Sequence, residues 1–142
     1  MRSDRGSVLL LFPAAFVIVL VLGALAIDSA AVFLHQRELT AAAGAAANDA
    51  ATLAIDRDRL RDEGERWLDP ARVDEVVATS LARRGLLDDL LEPPIVVVTG
   101  NERVEITLVA HAAYVIAPAL PGGFDGRTVR ATVGADTVVD DG

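Results

Sequence analysis

The first third of the chain carries a long apolar run. Residues 8–27 contain no charged side chain, and most of them are Leu, Val, Ile or Phe. A helix rises about 1.5 Å per residue, so this run would extend for about 30 Å, the hydrocarbon thickness of a bilayer. Pro13 lies near the start of the run, where a helix tolerates proline best. The pattern predicts a transmembrane helix over residues 7–27.

The charges that flank the run predict its orientation. Arg2, Arg5 and the amino terminus precede the run, and Asp28 ends it. Under the positive-inside rule, the more basic flank stays in the cytoplasm. We therefore expect residues 1–6 to form a cytoplasmic leader and the remainder of the chain to lie outside the cell membrane.

A cleaved secretory signal is the alternative interpretation of the same run. Ala24-Leu25-Ala26 would supply the small residues of a cleavage site. However, the apolar run is longer than the roughly 7–15 residues of a usual signal peptide. The alanine-rich sequence after the run also continues the helical pattern. Both features favour a retained anchor.

Residues 28–66 are predicted to form an extracytoplasmic helical stalk. Residues 41–47 are almost entirely alanine, which has the highest intrinsic helix propensity. We expect one helix that leaves the membrane and continues to about Leu60. Leu53, Leu60 and Trp67 recur every seven residues and form a narrow apolar seam. Because the repeat is too short for a coiled coil, we expect the seam to pack on the chain's own domain.

Residues 67–142 are predicted to form a small α+β domain. Asp69 can cap a helix, Pro70 suits the first helical position, and Gly85 is a C-terminal stop. After residue 94 the apolar period changes to two, which is typical of strands. The strands expected are 95–99, 104–111 and 129–135, separated by the Gly100-Asn101 turn and a loop rich in proline and glycine. We therefore expect a short helix packed on a three-stranded antiparallel sheet.

Composition and spacing argue against several classes of chemistry. The 142-residue chain has a net charge of −8, so it would repel nucleic acid. It has no cysteine, which excludes disulfides, cysteine zinc sites and thiol catalysis. His35 and His111 fall in different predicted elements, without partners at metal-ligand spacing. The sequence contains no phosphate-binding loop and no G-x-S-x-G motif. We expect no catalytic residue, metal, cofactor or small-molecule substrate, and the chain is not predicted to be an enzyme.

Small residues on the long helix are candidates for close helix packing. They are Gly23, Ala43, Gly44 and Ala47. Small side chains let two helix backbones approach each other within a membrane. The alternative is that these residues reflect only helix propensity and the coding bias of a GC-rich genome.

The order of features along the chain resembles that of one protein family. Arg5-Gly6 precedes the apolar run, Ala26-Ile27-Asp28 ends it, and the alanine-rich stretch 37–51 follows. Near the other end, an apolar loop with proline and glycine, 119–124, precedes a strand of alternating Val, Ala and Thr, 129–133. In this order, the chain resembles the TadE/TadG-like proteins of the tight-adherence (Tad, or Flp) pilus-assembly system.

The resemblance implies a pseudopilin-like or minor-pilin-like protein with a pilin-like layout. Its partners would be the membrane and other Tad pilus-assembly or pilin subunits. Many pseudopilins of this group are cleaved after a glycine by a prepilin peptidase, and the matching bond joins Gly6 to Ser7. Phe12 matches the aromatic residue expected six places after that glycine. Leu11 stands where the pilins have a glutamate that registers the subunit in the filament.

A second class of function fits the same residues. The chain would then be a secreted or membrane-anchored binding or adaptor domain of the cell envelope, unrelated to pili. Gene neighbourhood separates the two classes. Neighbouring genes for a secretion ATPase and paired inner-membrane platform proteins would favour the pilus.

Overall fold

The computed structural model describes residues 5–100, 102–120 and 122–137. Its first element, α1 (Arg5–Leu53), is a helix of 49 residues. At a rise of about 1.5 Å per residue it is about 70 Å long. Among the described residues, α1 is the one helix that is long and apolar enough to cross a membrane.

The two halves of α1 have different surroundings. Every side chain from Leu11 to Leu22 is exposed. From Leu39 onward a wide face of the helix is buried in the core, and most of that face is alanine. The buried residues are Leu39, Ala42, Ala43, Ala46, Ala47, Ala50 and Ala51. Because alanine side chains are short, other elements approach this half of α1 closely from two sides.

The end of α1 differs from the sequence prediction. The helix ends at Leu53 rather than near Leu60, because the chain then pairs with a later segment. The backbone N–H of Asp69 donates to the carbonyl oxygen of Ala54 at 2.9 Å. The stalk predicted over residues 28–66 is therefore not separate from the domain, since the second half of α1 is the centre of the domain core.

The predicted apolar seam does not form. Leu53 is 51% exposed and Leu60 is 39% exposed. Leu60 belongs to a separate short helix, α2 (Arg57–Asp62), so the seven-residue spacing does not continue along one helix axis. The ring of Trp67 instead lies 4.4 Å from the Arg59 guanidinium.

The second predicted helix is confirmed as α3 (Pro70–Arg83). The Asp69 side chain caps it by accepting the backbone N–H of Ala71 at 3.0 Å. Gly85 follows the helix with a φ of 68°, a conformation that favours glycine. The buried side chains of α3 are Val73, Val77, Ser80 and Leu81.

Three antiparallel strands follow in the spatial order β1-β2-β3. They are β1 (Ile95–Thr99), β2 (Arg103–Ala113) and β3 (Gly126–Asp136), preceded by a short 3₁₀ turn, Leu87–Asp89. The three predicted strands are thus confirmed, and β2 and β3 are longer than predicted. Of the predicted Gly100-Asn101 turn, Asn101 lies outside the described residues.

The position of α3 corrects one part of the predicted layout. The sequence predicts a short helix on the sheet, but α1 lies between α3 and strands β2 and β3. Ser80 Oγ of α3 donates to Asp49 Oδ2 of α1 at 2.6 Å. On another side of α1, the Gln36 amide donates to the carbonyl oxygen of Arg130 in β3 at 2.7 Å. The fold is α+β, with the alanine-rich half of α1 as its middle layer.

Candidate functional site

The connection between β2 and β3, residues 114–125, is an apolar and largely exposed segment. We call it the β2–β3 loop; Pro121 within it lies outside the described residues. Residues 115–124 contain no charged side chain. Val115 is 65% exposed and Phe124 is 76% exposed. The loop therefore presents apolar side chains to the surroundings.

Asp28 holds the start of this loop against α1. Its Oδ1 accepts the backbone N–H groups of Val115 at 2.7 Å and Ile116 at 2.8 Å, and its Oδ2 accepts that of Ala117 at 2.9 Å. Asp28 is only 6% exposed. Asp28, the first charged residue after the apolar run, is thus a buried carboxylate that accepts three consecutive backbone N–H groups.

These donors keep Asp28 ionised. The hydrogen bond from the Ile116 N–H holds the pKa of Asp28 below its ordinary value of 3.8. Burial acts in the opposite direction, and the hydrogen bonds from Val115 and Ala117 lower the pKa further. A carboxylate that accepts two or three backbone N–H bonds is stabilised in its charged form. At neutral pH the contact between helix and loop is therefore charge-assisted.

An apolar groove lies between α1 and the β2–β3 loop. It has a volume of about 550 Å³ and is lined by Val19, Leu20, Val21, Gly23, Ala24, Ile27, Ile116 and Leu120. A Cβ added at Gly23 would meet nothing within 4 Å, so the groove is open at that point. The groove could hold lipid chains or a side chain of another membrane helix, but it offers almost no polar group for catalysis.

The predicted helix-packing residues fall into two groups. Gly23 lies in the open groove. Ala43 and Ala47 have no exposed surface and belong to the chain's own core. A Cβ added at Gly44 would lie 3.5 Å from Val133 Cγ1 of β3. Ala43 and Ala47 therefore pack within the chain, and the partly buried Gly44 lies against β3, so this face of α1 contacts the chain's own core.

The predicted processing residues lie at the start of α1. Gly6 and Ser7 are in its first turns. Leu11 and Phe12 follow on the exposed part of the helix, at 65% and 78% exposure. The bond after Gly6 therefore lies more than 20 residues before Asp28, far along the helix from the domain.

The two histidines do not form a site together. His35 lies in α1 and His111 in β2. Within residues 5–100, 102–120 and 122–137, no group of three or more histidine, aspartate or glutamate side chains is arranged to hold a metal ion.

Sequence reasoning missed the partner of Asp28. An acidic residue directly after an apolar run was recognised only as the end of that run. The second signal was the uncharged segment 115–124, which is too apolar for an ordinary surface loop. Neither signal indicates that Asp28 and this segment are in contact, because the contact joins positions 87 to 89 residues apart.

Comparisons of the chain with protein-family models, with curated proteins and with solved structures found no match.

Proposed function

We propose that this chain is a single-pass membrane protein of a Tad/Flp pilus-assembly system, pseudopilin-like or minor-pilin-like, which acts by helix packing and protein–protein contacts. The observation that carries the proposal is the unbroken helix α1. Residues 11–22 of the helix are apolar and exposed, and its second half is the centre of the domain core. A subunit built in this way transmits any displacement of its membrane helix directly to its outer domain.

The contact at Asp28 supports retention of the helix over cleavage as a signal. Cleavage after Ala26 would remove the groove wall formed by residues 19–24. It would also make Asp28 the second residue of the mature chain, next to a new, positively charged amino terminus. The β2–β3 loop would then lose the helix surface beside which it is held.

The orientation follows from charge. Arg2 and Arg5 lie directly before the apolar run, whereas the first arginine after it is Arg37. The positive-inside rule then favours a cytoplasmic N-terminus and an extracytoplasmic domain.

Mass spectrometry of the mature N-terminus in the native cell tests the anchor. A chain that begins at residue 1 or at Ser7 supports a retained helix, and a start at Ser7 also supports pilin-type processing. A start near Ile27, with the product recovered in solution, would contradict the proposal.

Helix packing is tested with a matched pair of substitutions. Gly23→Leu fills the groove, whereas Ala26→Leu places the same side chain at an exposed position that does not line it. We expect Gly23→Leu to reduce co-purification with other Tad components several-fold, and Ala26→Leu to leave it unchanged. Equal recovery with both variants would contradict packing at Gly23.

Deletion of the gene addresses the pilus itself. We expect the deletion strain to lose surface pili and to regain them when the chain is supplied on a plasmid. Normal pili in the deletion strain would favour the alternative, a cell-envelope adaptor domain.

A further inference from the structure

We propose that the β2–β3 loop is a second membrane contact, whose apolar side chains insert among the lipid chains of the outer leaflet beside α1. The inserted residues are Val115, Leu120 and Phe124. This proposal rests on the membrane anchoring proposed above, and it adds a lipid-binding surface to the outer domain.

The depth of the loop is set by the helix turns beside it. Ile116 and Leu120 line the same groove as Val19 and Ile27 of α1. Eight residues along a helix correspond to about 12 Å, so the loop runs beside the last two turns of the apolar run. If residues 7–27 cross the bilayer, these turns lie in its outer half. The loop is therefore beside lipid rather than above it.

The exposed apolar side chains of the loop can contact lipid hydrocarbon chains at no cost in lost hydrogen bonds. Val115 is 65% exposed, Leu120 46% and Phe124 76%. These side chains continue the exposed apolar surface of α1, which lipid already covers in an anchored chain. Charged residues resume at the last loop position, with exposed Asp125, and continue with exposed Arg127 in β3. The change from apolar to charged residues marks the expected membrane surface.

Over residues 114–120 the backbone N–H groups of the loop have acceptors within the chain, as a segment in lipid needs. Asp28 accepts the N–H groups of residues 115–117. Tyr114 N–H donates to the Asp125 carbonyl at 2.9 Å. The turn itself supplies acceptors for Ala119 and Leu120, at 3.0 and 3.1 Å. Residue 118 is proline and has no N–H, so every donor from 114 to 120 has a partner.

Lipid is favoured over a partner protein because the exposed side chains of the loop continue the apolar surface of α1. The loop surface consists of a few side chains at the edge of the membrane helix, too small for a stable protein interface by itself. Residues 115–124 also offer a protein partner no charged side chain for orientation.

Spin labelling of the full-length chain in phosphatidylcholine nanodiscs tests the proposal. The sequence contains no cysteine, so each introduced cysteine is the only labelling position. Phe124→Cys reports on the loop, Leu20→Cys is the reference in lipid, and Leu53→Cys is the exposed reference at the far end of α1. The measured quantity is the ratio of collision rates with oxygen, which enriches in lipid, and with a water-soluble nickel chelate.

We expect the ratio at position 124 to exceed that at position 53 several-fold and to approach that at position 20. A ratio at 124 equal to that at 53 would overturn the proposal. A label at 124 that neither reagent reaches would also overturn it, because a protein surface would then cover the loop. Val115→Cys repeats the measurement at a second exposed position. If position 20 itself behaves like position 53, the membrane anchor fails, and this result differs from failure of the loop alone.

Discussion

Asp28 Oδ1 accepts the backbone N–H of Ile116 at 2.8 Å, although the two residues are 88 positions apart in the chain. The bond joins the end of the apolar run to the connection between β2 and β3. An unpartnered carboxylate at the edge of hydrocarbon is costly. The loop supplies the missing donors, so the same contact both accommodates the charge of Asp28 and fixes the loop beside the helix.

Removal of this acceptor is expected to release the loop. In Asp28→Ala the amides of Val115, Ile116 and Ala117 lose the carboxylate that accepts their N–H groups, and their hydrogen exchange should accelerate several-fold in detergent micelles. Asp28→Asn keeps one carbonyl oxygen and should give a smaller increase.

The control for this measurement is Glu105→Gln, which removes an exposed carboxylate in β2. Exchange at residues 115–117 should not change in that variant. Slow exchange at these amides in Asp28→Ala would contradict the role given to the carboxylate.

The same contact predicts a dependence on pH. The folded-state pKa of Asp28 is lowered from 3.8, first by the Ile116 N–H. A carboxyl whose pKa is lower in the folded than in the unfolded chain stabilises the docked loop at any pH above its unfolded-state pKa. That contribution is lost as the pH falls through the folded-state pKa. The amide shifts of residues 115–117 should therefore stay constant from neutral pH to near 4 and change only below the ordinary value of 3.8. Asp28→Asn should remove this transition, and a transition that persists in Asp28→Asn would show that another group titrates.

The sequence predicted the elements with local signals. The helix start at Asp69-Pro70 and the period of two after residue 94 are properties of a few adjacent residues, and the structure has α3 and three strands there. The apolar run likewise gave the first half of α1. Each of these signals depends only on residues that are close together in the sequence.

The arrangement of the elements was not predictable in the same way. The alanines of residues 41–47 were interpreted as a stalk, yet they are the core, because the sheet and α3 cover them from two sides. Alanine occurs on solvated helices and in close helix contacts alike, so its pattern does not separate the two. The Asp28 contact was missed for a related reason: its partners are backbone groups, which leave no sequence signal.

Asp49 of α1 binds two side chains of α3, the buried hydroxyl of Ser80 and the exposed guanidinium of Arg83, whose Nη2 lies 3.6 Å from Asp49 Oδ2. Ser80 Oγ donates to Asp49 Oδ2 at 2.6 Å, and Ser80 is 1% exposed. Ser80→Ala is expected to lower the free energy of unfolding by about 1 kcal/mol, because Asp49 loses a buried donor. Thr79→Ala, at the exposed neighbouring position, is the control and should change the free energy of unfolding by less than about 0.5 kcal/mol. Urea unfolding in detergent, followed by the fluorescence of the single tryptophan, Trp67, measures both. Equal stability of the two variants would show that the hydroxyl contributes nothing.

The alanine face of α1 distinguishes internal packing from packing between subunits. Ala43 has no exposed surface, whereas Ala41 on the same helix is exposed. Ala43→Leu must displace the core and should lower the free energy of unfolding by about 1–3 kcal/mol. Ala41→Leu adds the same side chain on the open side and should change it by less than about 0.5 kcal/mol. Urea unfolding of the two variants measures the difference. If Ala43→Leu kept full stability but lost its partners in the native membrane, the face would serve another subunit, and the middle-layer position of α1 would be wrong.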